Sequence, residues 1–309
     1  MNPAIESLYD REAAAALAQG AAAAYGAEAE MQSWAGAQGC GACAVVRDDG
    51  TDTLAFVAAA EQRAFVVFRG TRDLRNWITN LDCRRVKINA ETLKSENLKS
   101  SRGFSFSASQ HFSPEVHAGF QRALDSVWEP LAERIEVMAA GKRDLFFAGH
   151  SLGGALAMLA AARLNCEVGS VNSENDLKLQ TSNFKLQTWL YSFGQPRVGN
   201  RAWARWYDSL LHSRSFRIVH AEDVVARMPW LLGRFRHAGT EVFYDALGVK
   251  HIDWPCWAKA PSDAAGLWRE WSRGQIALLG DHHVSTYVDL LKAEGGMKTI
   301  LRQTILRRS

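Results

Sequence analysis

Hydrophobic positions along this chain follow two different periods, and the change between them predicts the order of its elements. Alanine and leucine recur at helical spacing from Asp10 to Tyr25. Later helical patterns cover Phe120–Ala140, the stretch after Ser151, and Asn200–His212. Short apolar runs typical of strands occupy Ala42–Val46, Leu54–Ala60, Phe65–Phe68, Leu145–Ala148, Thr188–Phe193, Phe216–His220 and Thr240–Tyr244.

Strands that alternate with helices in this way indicate an α/β fold. Its mostly parallel central sheet would carry helices on both faces. Asp48-Asp49-Gly50 separates the first two strand runs and predicts a hairpin, which makes the sheet mixed. Because no linker rich in proline or glycine divides the pattern, we expect one domain over residues 1–309.

Two polar stretches interrupt this pattern and predict surface insertions, over residues 88–115 and 168–186. Between the third strand run and the first insertion, Asp73–Leu81 is a short amphipathic helical pattern. A later stretch, from Trp230 to Trp271, is rich in tryptophan. Those indoles suit packing beneath a long loop, or an apolar wall for a greasy substrate.

Composition narrows the class of protein. The 309 residues are 47% hydrophobic and 22% charged, which is typical of a globular protein. A net charge of +3 gives no support for nucleic-acid binding. No segment approaches the roughly 18 to 20 apolar residues of a transmembrane helix. The N-terminus shows no signal peptide, so we expect a cytoplasmic protein, or one secreted after processing or by a non-classical route.

The cysteines predict neither a metal site nor a cofactor. Their number, five, is odd and excludes a complete internal disulfide framework. Cys40 and Cys43 have the spacing of a zinc or redox pair. Zinc would need a second ligand pair, and a thioredoxin-like motif would open a helix, whereas a strand-like run follows here. A structural thiol pair or a local disulfide is the favoured interpretation.

The candidate chemistry centres on Ser151. It lies between the apolar run Leu145–Ala148 and a helical pattern, with Gly149 and Gly153 on either side. A strand that turns into a helix at a serine between glycines exposes a strained nucleophilic hydroxyl beside the helix N-terminus. The glycines avoid a collision of β-carbons where strand and helix pass. A glycine-rich helix cap is the simpler alternative.

A nucleophilic serine needs a base, an acid that orients the base, and donors for the oxyanion. Asp223, with Glu222 beside it, follows a predicted strand and is the acid candidate. The histidine candidates are His237, His251, His282 and His283, of which the last two open a helical pattern near the end of the domain. The expected oxyanion donors are the N–H of Leu152 and the loop that carries Thr71.

Five sequence blocks in this order resemble the class 3 lipases, the family of the Rhizomucor-type triacylglycerol lipases. The resemblance extends from about Asp10 to Leu291. The blocks are Val66–Thr71, Leu74–Ile78, His117–Phe120, Gly149–Gly154 and Phe193–Asn200.

This resemblance implies an α/β-hydrolase fold and roles for matching residues. Ser151 would be the nucleophile, and Asp223 matches the family's aspartate. In the block around Asp223, from His220 to Pro229, Ala226 stands where the family has its first proline. This departure is expected to affect loop stiffness more than chemistry. For the base we choose His282, because Tyr287 follows it at a spacing common in the family. His283 is the second choice, and His237 is expected to be structural.

The resemblance also implies that Thr71 and Leu152 form the oxyanion hole and that residues 72–84 form a lid. The lid's apolar face would carry Leu74, Trp77, Ile78 and Leu81. The implied function is hydrolysis of acylglycerol esters, with a lipid or ester substrate and transient contact with a lipid interface. Phospholipase A1, feruloyl or short-chain esterase activity, or a non-catalytic lipase-like scaffold are the alternatives.

Overall fold

The computed structural model describes residues 3–72, 84–88, 113–142, 144–169, 186–221, 223–229, 234–254 and 282–294. Its centre is an eight-stranded sheet in the order β1-β2-β3-β6-β7-β8-β9-β10. These strands are Ala42–Asp48, Thr53–Ala59, Arg63–Phe68, Asp144–His150, Gln187–Phe193, Ser215–His220, Thr240–Tyr244 and Lys250–Ile252. A separate two-stranded sheet pairs β4 (Arg85–Lys87) with β5 (Glu115–His117).

The middle of the large sheet is parallel. Strand β3 pairs parallel with β6, β6 with β7, β7 with β8, and β8 with β9. The edges are antiparallel, because β1 and β2 form the predicted hairpin and β10 turns back on β9. The prediction of a mixed, mostly parallel sheet is confirmed.

Helices cover both faces of this sheet, as predicted. One layer holds α2 (Arg11–Ala23), α3 (Glu28–Ala37) and α8 (284–294). The other holds α4 (Ala118–Asp125), α5 (Trp128–Ala139), α6 (Leu152–Gly169) and α7 (Arg201–Leu211), while α1 (Pro3–Glu6) is a single turn. The central strands are therefore buried on both sides, which explains their continuous apolar runs.

Strand alternation divides the core between the two layers. Along β3, Phe65 and Val67 face the α2 layer, whereas Val66 and Phe68 face the α6 layer. All four side chains are at most 6% exposed, so the residues of β3 pack on both sides. Because β3, β6, β7, β8 and β9 all run in the same direction, their carboxyl ends meet at one edge of the sheet. That edge is where an α/β sheet offers loops for a functional site.

Two expectations about the helices need correction. The predicted helix Phe120–Ala140 is two helices, α4 and α5, because the chain turns at Ser126 and Val127. Helix α3 was not predicted from the sequence, because its apolar residues form only a weak helical stripe. The residues that it buries are Met31, Trp34 and Ala35. The predicted lid helix Asp73–Leu81 and most of both polar insertions lie outside the described residues.

In the described part of the chain, no helix has the length and apolar character needed to cross a membrane.

Candidate active site

Ser151 occupies the turn between β6 and α6, with a left-handed backbone (φ 57°). A residue with a β-carbon adopts this conformation only at a cost, which the surroundings must offset. Here the Ser151 N–H donates a hydrogen bond of 2.8 Å to the carbonyl of Phe193, at the end of β7. The carbonyl of Ser151 accepts hydrogen bonds from two N–H groups of the first turn of α6, those of Gly154 at 3.0 Å and Ala155 at 3.4 Å. Both neighbouring elements therefore hold the strained turn.

The glycines on either side of Ser151 permit a close approach of strand and helix. A β-carbon on Gly149 would lie 2.3 Å from the carbonyl carbon of Gly153. A β-carbon on Gly153 would lie 2.4 Å from the carbonyl oxygen of Phe68. Both distances are far inside van der Waals contact, so the expected reason for these glycines is confirmed. The second contact also packs the helix start against the loop that follows β3.

Asp223 and His282 form a buried pair at the same edge of the sheet. Nδ1–H of His282 donates to Oδ2 of Asp223 at 2.7 Å, and the two residues are 3% and 1% exposed. Asp223 follows β8, where the chain enters a 3-10 turn over Val225–Arg227. Its other oxygen, Oδ1, accepts the N–H of Val225 at 2.8 Å and of Ala226 at 3.2 Å. The carboxylate is thus held from both oxygens.

Tyr287 supplies a further donor to this carboxylate. It lies near the start of α8, and its hydroxyl donates a hydrogen bond to Oδ2 of Asp223. Burial by itself raises the pKa of Asp223, but the neighbouring His282 and the hydrogen bonds from His282 and Tyr287 act against it. The result is a pKa below the ordinary value for aspartate. Asp223 therefore stays ionised and can orient the imidazole.

The structure separates the histidine candidates. His282 is buried on Asp223, whereas the neighbouring His283 is exposed. His237 donates from Nε2 to the carbonyl of Ala226 at 2.8 Å, and His251 pairs with Asp245 at 3.1 Å. Glu222, the other acid considered, lies outside the described residues.

Two polar atoms of the candidate site, one on Ser151 and one on His282, make no hydrogen bond within the part of the chain that the structure describes. Oγ of Ser151 and Nε2 of His282 are both buried, and neither has a hydrogen-bond partner among the described residues. The structure thus forms the Asp223–His282 hydrogen bond but no Ser151–His282 hydrogen bond. Catalytic hydrogen bonds are often long before substrate binds, so this geometry is compatible with a nucleophile and its base. His282 nevertheless packs close to the elbow, with its ring 4.6 Å from that of His150.

Gly194, which sequence reasoning did not single out, touches the buried pair directly. It follows β7 with a φ of 59°. A β-carbon at this position would lie 2.5 Å from Oδ2 of Asp223 and 2.9 Å from Cε1 of His282. The sequence did include Gly194 in the fifth resemblance block, but only the fold explains why a side chain is excluded there.

The expected oxyanion donors flank the elbow. Strand β3 lies beside β6, so the loop Arg69–Thr71 emerges next to Ser151. Gly153 contacts this loop, as described above, and Leu152 is the first residue of α6. Leu152 and Thr71 are both partly buried. N–H groups in the first turn of a helix have no partner within the helix and can serve an anion.

Ala226 changes how the acid is held. The sequence suggested that its substitution for proline affects loop stiffness more than chemistry. In the structure its N–H is one of the two backbone donors to Asp223 Oδ1. Proline has no N–H and could not make this bond. The departure from the family pattern therefore adds a hydrogen bond to the carboxylate.

Outside this edge of the sheet, the cysteines and tryptophans do not form a second centre in the described residues. Cys40, Cys43 and Cys166 are free thiols, and burial raises the pKa of Cys40 to about 11. Among the described residues, no group of three or more potential ligands could hold a metal ion. Trp254 stacks on His251 at 3.8 Å. Trp230, Trp257, Trp268 and Trp271 lie outside the described residues.

The sheet, its two helical layers and a serine elbow at the carboxyl edge define an α/β-hydrolase fold. Among solved structures, the chain is similar to Rhizomucor miehei triacylglyceride lipase, with a TM-score of 0.55 and 22% identity over 78% of this chain and 82% of that one. A fungal lipase–inhibitor complex aligns with a TM-score of 0.56 and 23% identity, over 78% of this chain and 83% of that one. At this level of sequence identity, the similarity to these structures shows only that the fold is shared.

The family follows from the sequence comparison. The family model described as lipase (class 3) matches residues 65–232, more than half of the chain. The chain belongs to the class 3 lipase family. It is 31% identical to the secreted mono- and diacylglycerol lipase 1 of Fusarium solani, over 62% of this chain and 47% of that protein. It is 30% identical to the lipase of Rhizomucor miehei, over 62% of this chain and 44% of that protein. The chain spans less than half the length of these relatives.

Proposed function

We propose that this chain is a serine carboxylic ester hydrolase, a lipase that cleaves acylglycerols through an acyl-enzyme intermediate. The observation that carries the proposal is the juxtaposition at the carboxyl edge of the sheet. Ser151 is held with a φ of 57° at the elbow, and His282 bonds Asp223 at 2.7 Å beside it. Membership of the class 3 lipase family supports the same reaction.

In the proposed reaction, Ser151 Oγ attacks the carbonyl carbon of an ester while Nε2 of His282 takes its proton. Asp223 holds the proton on Nδ1 and stabilises the imidazolium that forms. The ester carbonyl oxygen becomes an oxyanion, which accepts the N–H groups of Leu152 and Thr71. Collapse of this intermediate expels the alcohol, to which His282 returns the proton.

The second half of the reaction releases the acid. Water attacks the acyl-enzyme carbonyl while Nε2 of His282 removes one of its protons. The new tetrahedral intermediate uses the same two N–H donors. Its collapse frees the carboxylic acid and returns the proton from His282 to Ser151. Besides the ester and one water molecule, the proposed steps use the side chains of Ser151, His282 and Asp223 and the N–H groups of Leu152 and Thr71.

The substrate class rests on the relatives. The similar proteins are named as lipases of mono- and diacylglycerols and of triacylglycerides. We therefore propose acylglycerols as substrates, and contact with the lipid surface that contains them. The predicted lid, residues 72–84 with Leu74, Trp77, Ile78 and Leu81, remains a prediction because residues 73–83 lie outside the described part.

A substrate panel tests the function. Hydrolysis should be measured with emulsified triacylglycerol, diacylglycerol, phosphatidylcholine vesicles and soluble short-chain p-nitrophenyl esters. We expect acylglycerol hydrolysis to exceed hydrolysis of phosphatidylcholine. A p-nitrophenyl phosphonate should inactivate the enzyme and add its phosphonyl group to the peptide that contains Ser151, as mass spectrometry would show. Absence of hydrolysis of every ester, together with an unmodified Ser151, would rule the proposal out.

Gly194→Ala should disable the proposed site without touching Ser151. The new methyl group would overlap Asp223 Oδ2 and His282 Cε1, at 2.5 and 2.9 Å, and alanine is strained at a φ of 59°. We expect kcat to fall about 100-fold, because a small displacement of catalytic groups has an effect of this order. Steady-state kinetics on a soluble ester and a thermal unfolding curve measure both consequences.

Gly36→Ala is the matched control. Gly36 lies within α3, and a β-carbon there would meet no atom within 4 Å. The substitution should leave kcat unchanged and stabilise the helix by roughly 0.5–1 kcal/mol. Wild-type activity in Gly194→Ala would mean that the Asp223–His282 pair tolerates displacement, contrary to its assigned role.

A further inference from the structure

Tyr25 lies in the turn after α2, outside the segment that the family model matches. Its phenol oxygen is 2.8 Å from Nδ1 of His150, the residue before Ser151. The same oxygen lies against Gly70, since a β-carbon on Gly70 would be 2.0 Å from it. One hydroxyl group therefore contacts both the loop after β3 and the start of the elbow.

Burial keeps both groups of this contact neutral. It raises the pKa of the Tyr25 phenol, so the phenol keeps its proton. It also lowers the pKa of His150 well below the ordinary value, and the neighbouring His282 acts in the same direction. The neutral imidazole then has one acceptor nitrogen. The protonated phenol can donate to Nδ1 of this neutral imidazole, which then carries its own proton on Nε2.

The His150 ring also packs against the ring of His282. The two ring centroids are 4.6 Å apart, and the planes are tilted by 35°. In the proposed reaction His282 becomes an imidazolium, and a second cation at that distance would oppose it. A neutral His150 of fixed tautomer avoids the repulsion and presents a constant surface to the base.

We propose that Tyr25 is a positioning residue for the hydrolysis, an inference that rests on the proposed function. Its hydroxyl holds the loop Arg69–Thr71 and the ring of His150 in one arrangement. The oxyanion donor of Thr71 and the base His282 are then aligned by the same group. Tyr25 acts through Gly70 and His150. The N-terminal segment is thereby part of the machinery, although it lies outside the family match.

Tyr25→Phe removes the hydroxyl and keeps the ring. We expect kcat for a soluble p-nitrophenyl ester to fall about tenfold with KM within about twofold, because alignment of the reacting groups is lost and substrate binding is not. Tyr207→Phe is the matched control: Tyr207 is buried, and its hydroxyl lies 2.7 Å from Oγ of Ser215 at the start of β8. The control should be destabilised to a similar extent and keep wild-type kcat. An unchanged kcat in Tyr25→Phe would overturn the proposal.

A double-mutant cycle tests whether Tyr25 acts through His150. His150→Phe keeps an aromatic ring against His282 and removes the acceptor of the hydroxyl. Since both substitutions break one contact, the double variant should lose no more activity than the more damaged single variant. Multiplied losses would mean independent effects and would contradict the proposed connection.

The ring nitrogens of His150 can be observed without any substrate. In wild-type protein with ¹⁵N-labelled histidine, we expect the chemical shifts of a neutral ring protonated on Nε2, and a changed pattern in Tyr25→Phe. Protonation on Nδ1 in the wild type would overturn the proposal. If the expected tautomer is found but the wild type hydrolyses no ester, the hydrolase function fails, and with it the positioning role, whereas the contact itself stands.

Discussion

Ser151→Ala should reduce ester hydrolysis by about 10⁶-fold in kcat, the size of effect expected when a nucleophile of a Ser-His-Asp unit is removed. Without Oγ no acyl-enzyme can form, so a burst of alcohol release should also be lost. The fold should persist, because the backbone bonds of Ser151 to Phe193 and to the start of α6 do not involve the side chain. Stopped-flow kinetics with a p-nitrophenyl ester, and circular dichroism of the variant, measure the two expectations.

Ser192→Ala is the control for this experiment. Ser192 is another buried serine, on the neighbouring strand β7, and its Oγ also has no hydrogen-bond partner among the described residues. Its backbone lies in ordinary strand register opposite Gly149. Hydrolysis should continue in this variant. Retention of activity in Ser151→Ala would show that another group carries the reaction and would refute the assignment.

His282→Ala should be nearly as damaging, with kcat again lower by about 10⁶-fold, because loss of the base disables the same unit. His283→Ala should change kcat by less than about threefold, since surface substitutions away from the site have small effects. The two residues are adjacent in the chain, but His282 is 3% exposed on Asp223 whereas His283 is exposed. The comparison therefore isolates one imidazole with almost no change in composition.

The pH dependence of stability provides a second test of the Asp223–His282 pair. The pKa of Asp223 lies below its ordinary value, so its ionised form stabilises the folded state above the unfolded pKa of the carboxyl group. This stabilisation is lost as the pH falls through the lower, folded value. In His282→Ala the hydrogen-bond partner of Asp223 is gone, and acid unfolding should begin at a higher pH than in wild type.

For the kinetic comparison of the two histidines, an inactive His283→Ala with an active His282→Ala would reverse our choice of base.

Much of the fold could be predicted, because burial on both faces of a parallel sheet leaves a direct record in the sequence. The runs that became β3, β6, β7 and β8 were located to within about two residues, as expected for strong periodic segments. Predicted element boundaries were wrong where the local sequence pattern did not mark a turn. Phe120–Ala140 kept its helical period across the turn at Ser126, so the break between α4 and α5 left no signal in the apolar stripe.

The candidate site was predictable in its residue types and less so in its contacts. Asp223 and His282 are 59 residues apart in sequence, and the family resemblance, not periodicity, selected them from several candidates. The roles of Ser151, Asp223, His282, Thr71 and Leu152 stay predictions until the variants are measured. Gly194 and Tyr25 could not have been assigned a contact, because their neighbours come from strands and helices far away in the chain.

By itself, the sequence determined the sheet's central strands and the serine at the elbow, since hydrophobic period and glycine spacing are local properties of the chain. The family came from the resemblance of its motif blocks to the class 3 lipases. The resemblance favoured His282 over His283, but only the tertiary structure showed the hydrogen bond from His282 to Asp223, why Gly194 has no side chain, and how Ala226 and Tyr287 hold the carboxylate. The physical reason is that hydrogen bonding and burial depend on distance in space. Helix α8 and the loop after β8 are brought together only when the sheet and both helical layers are complete.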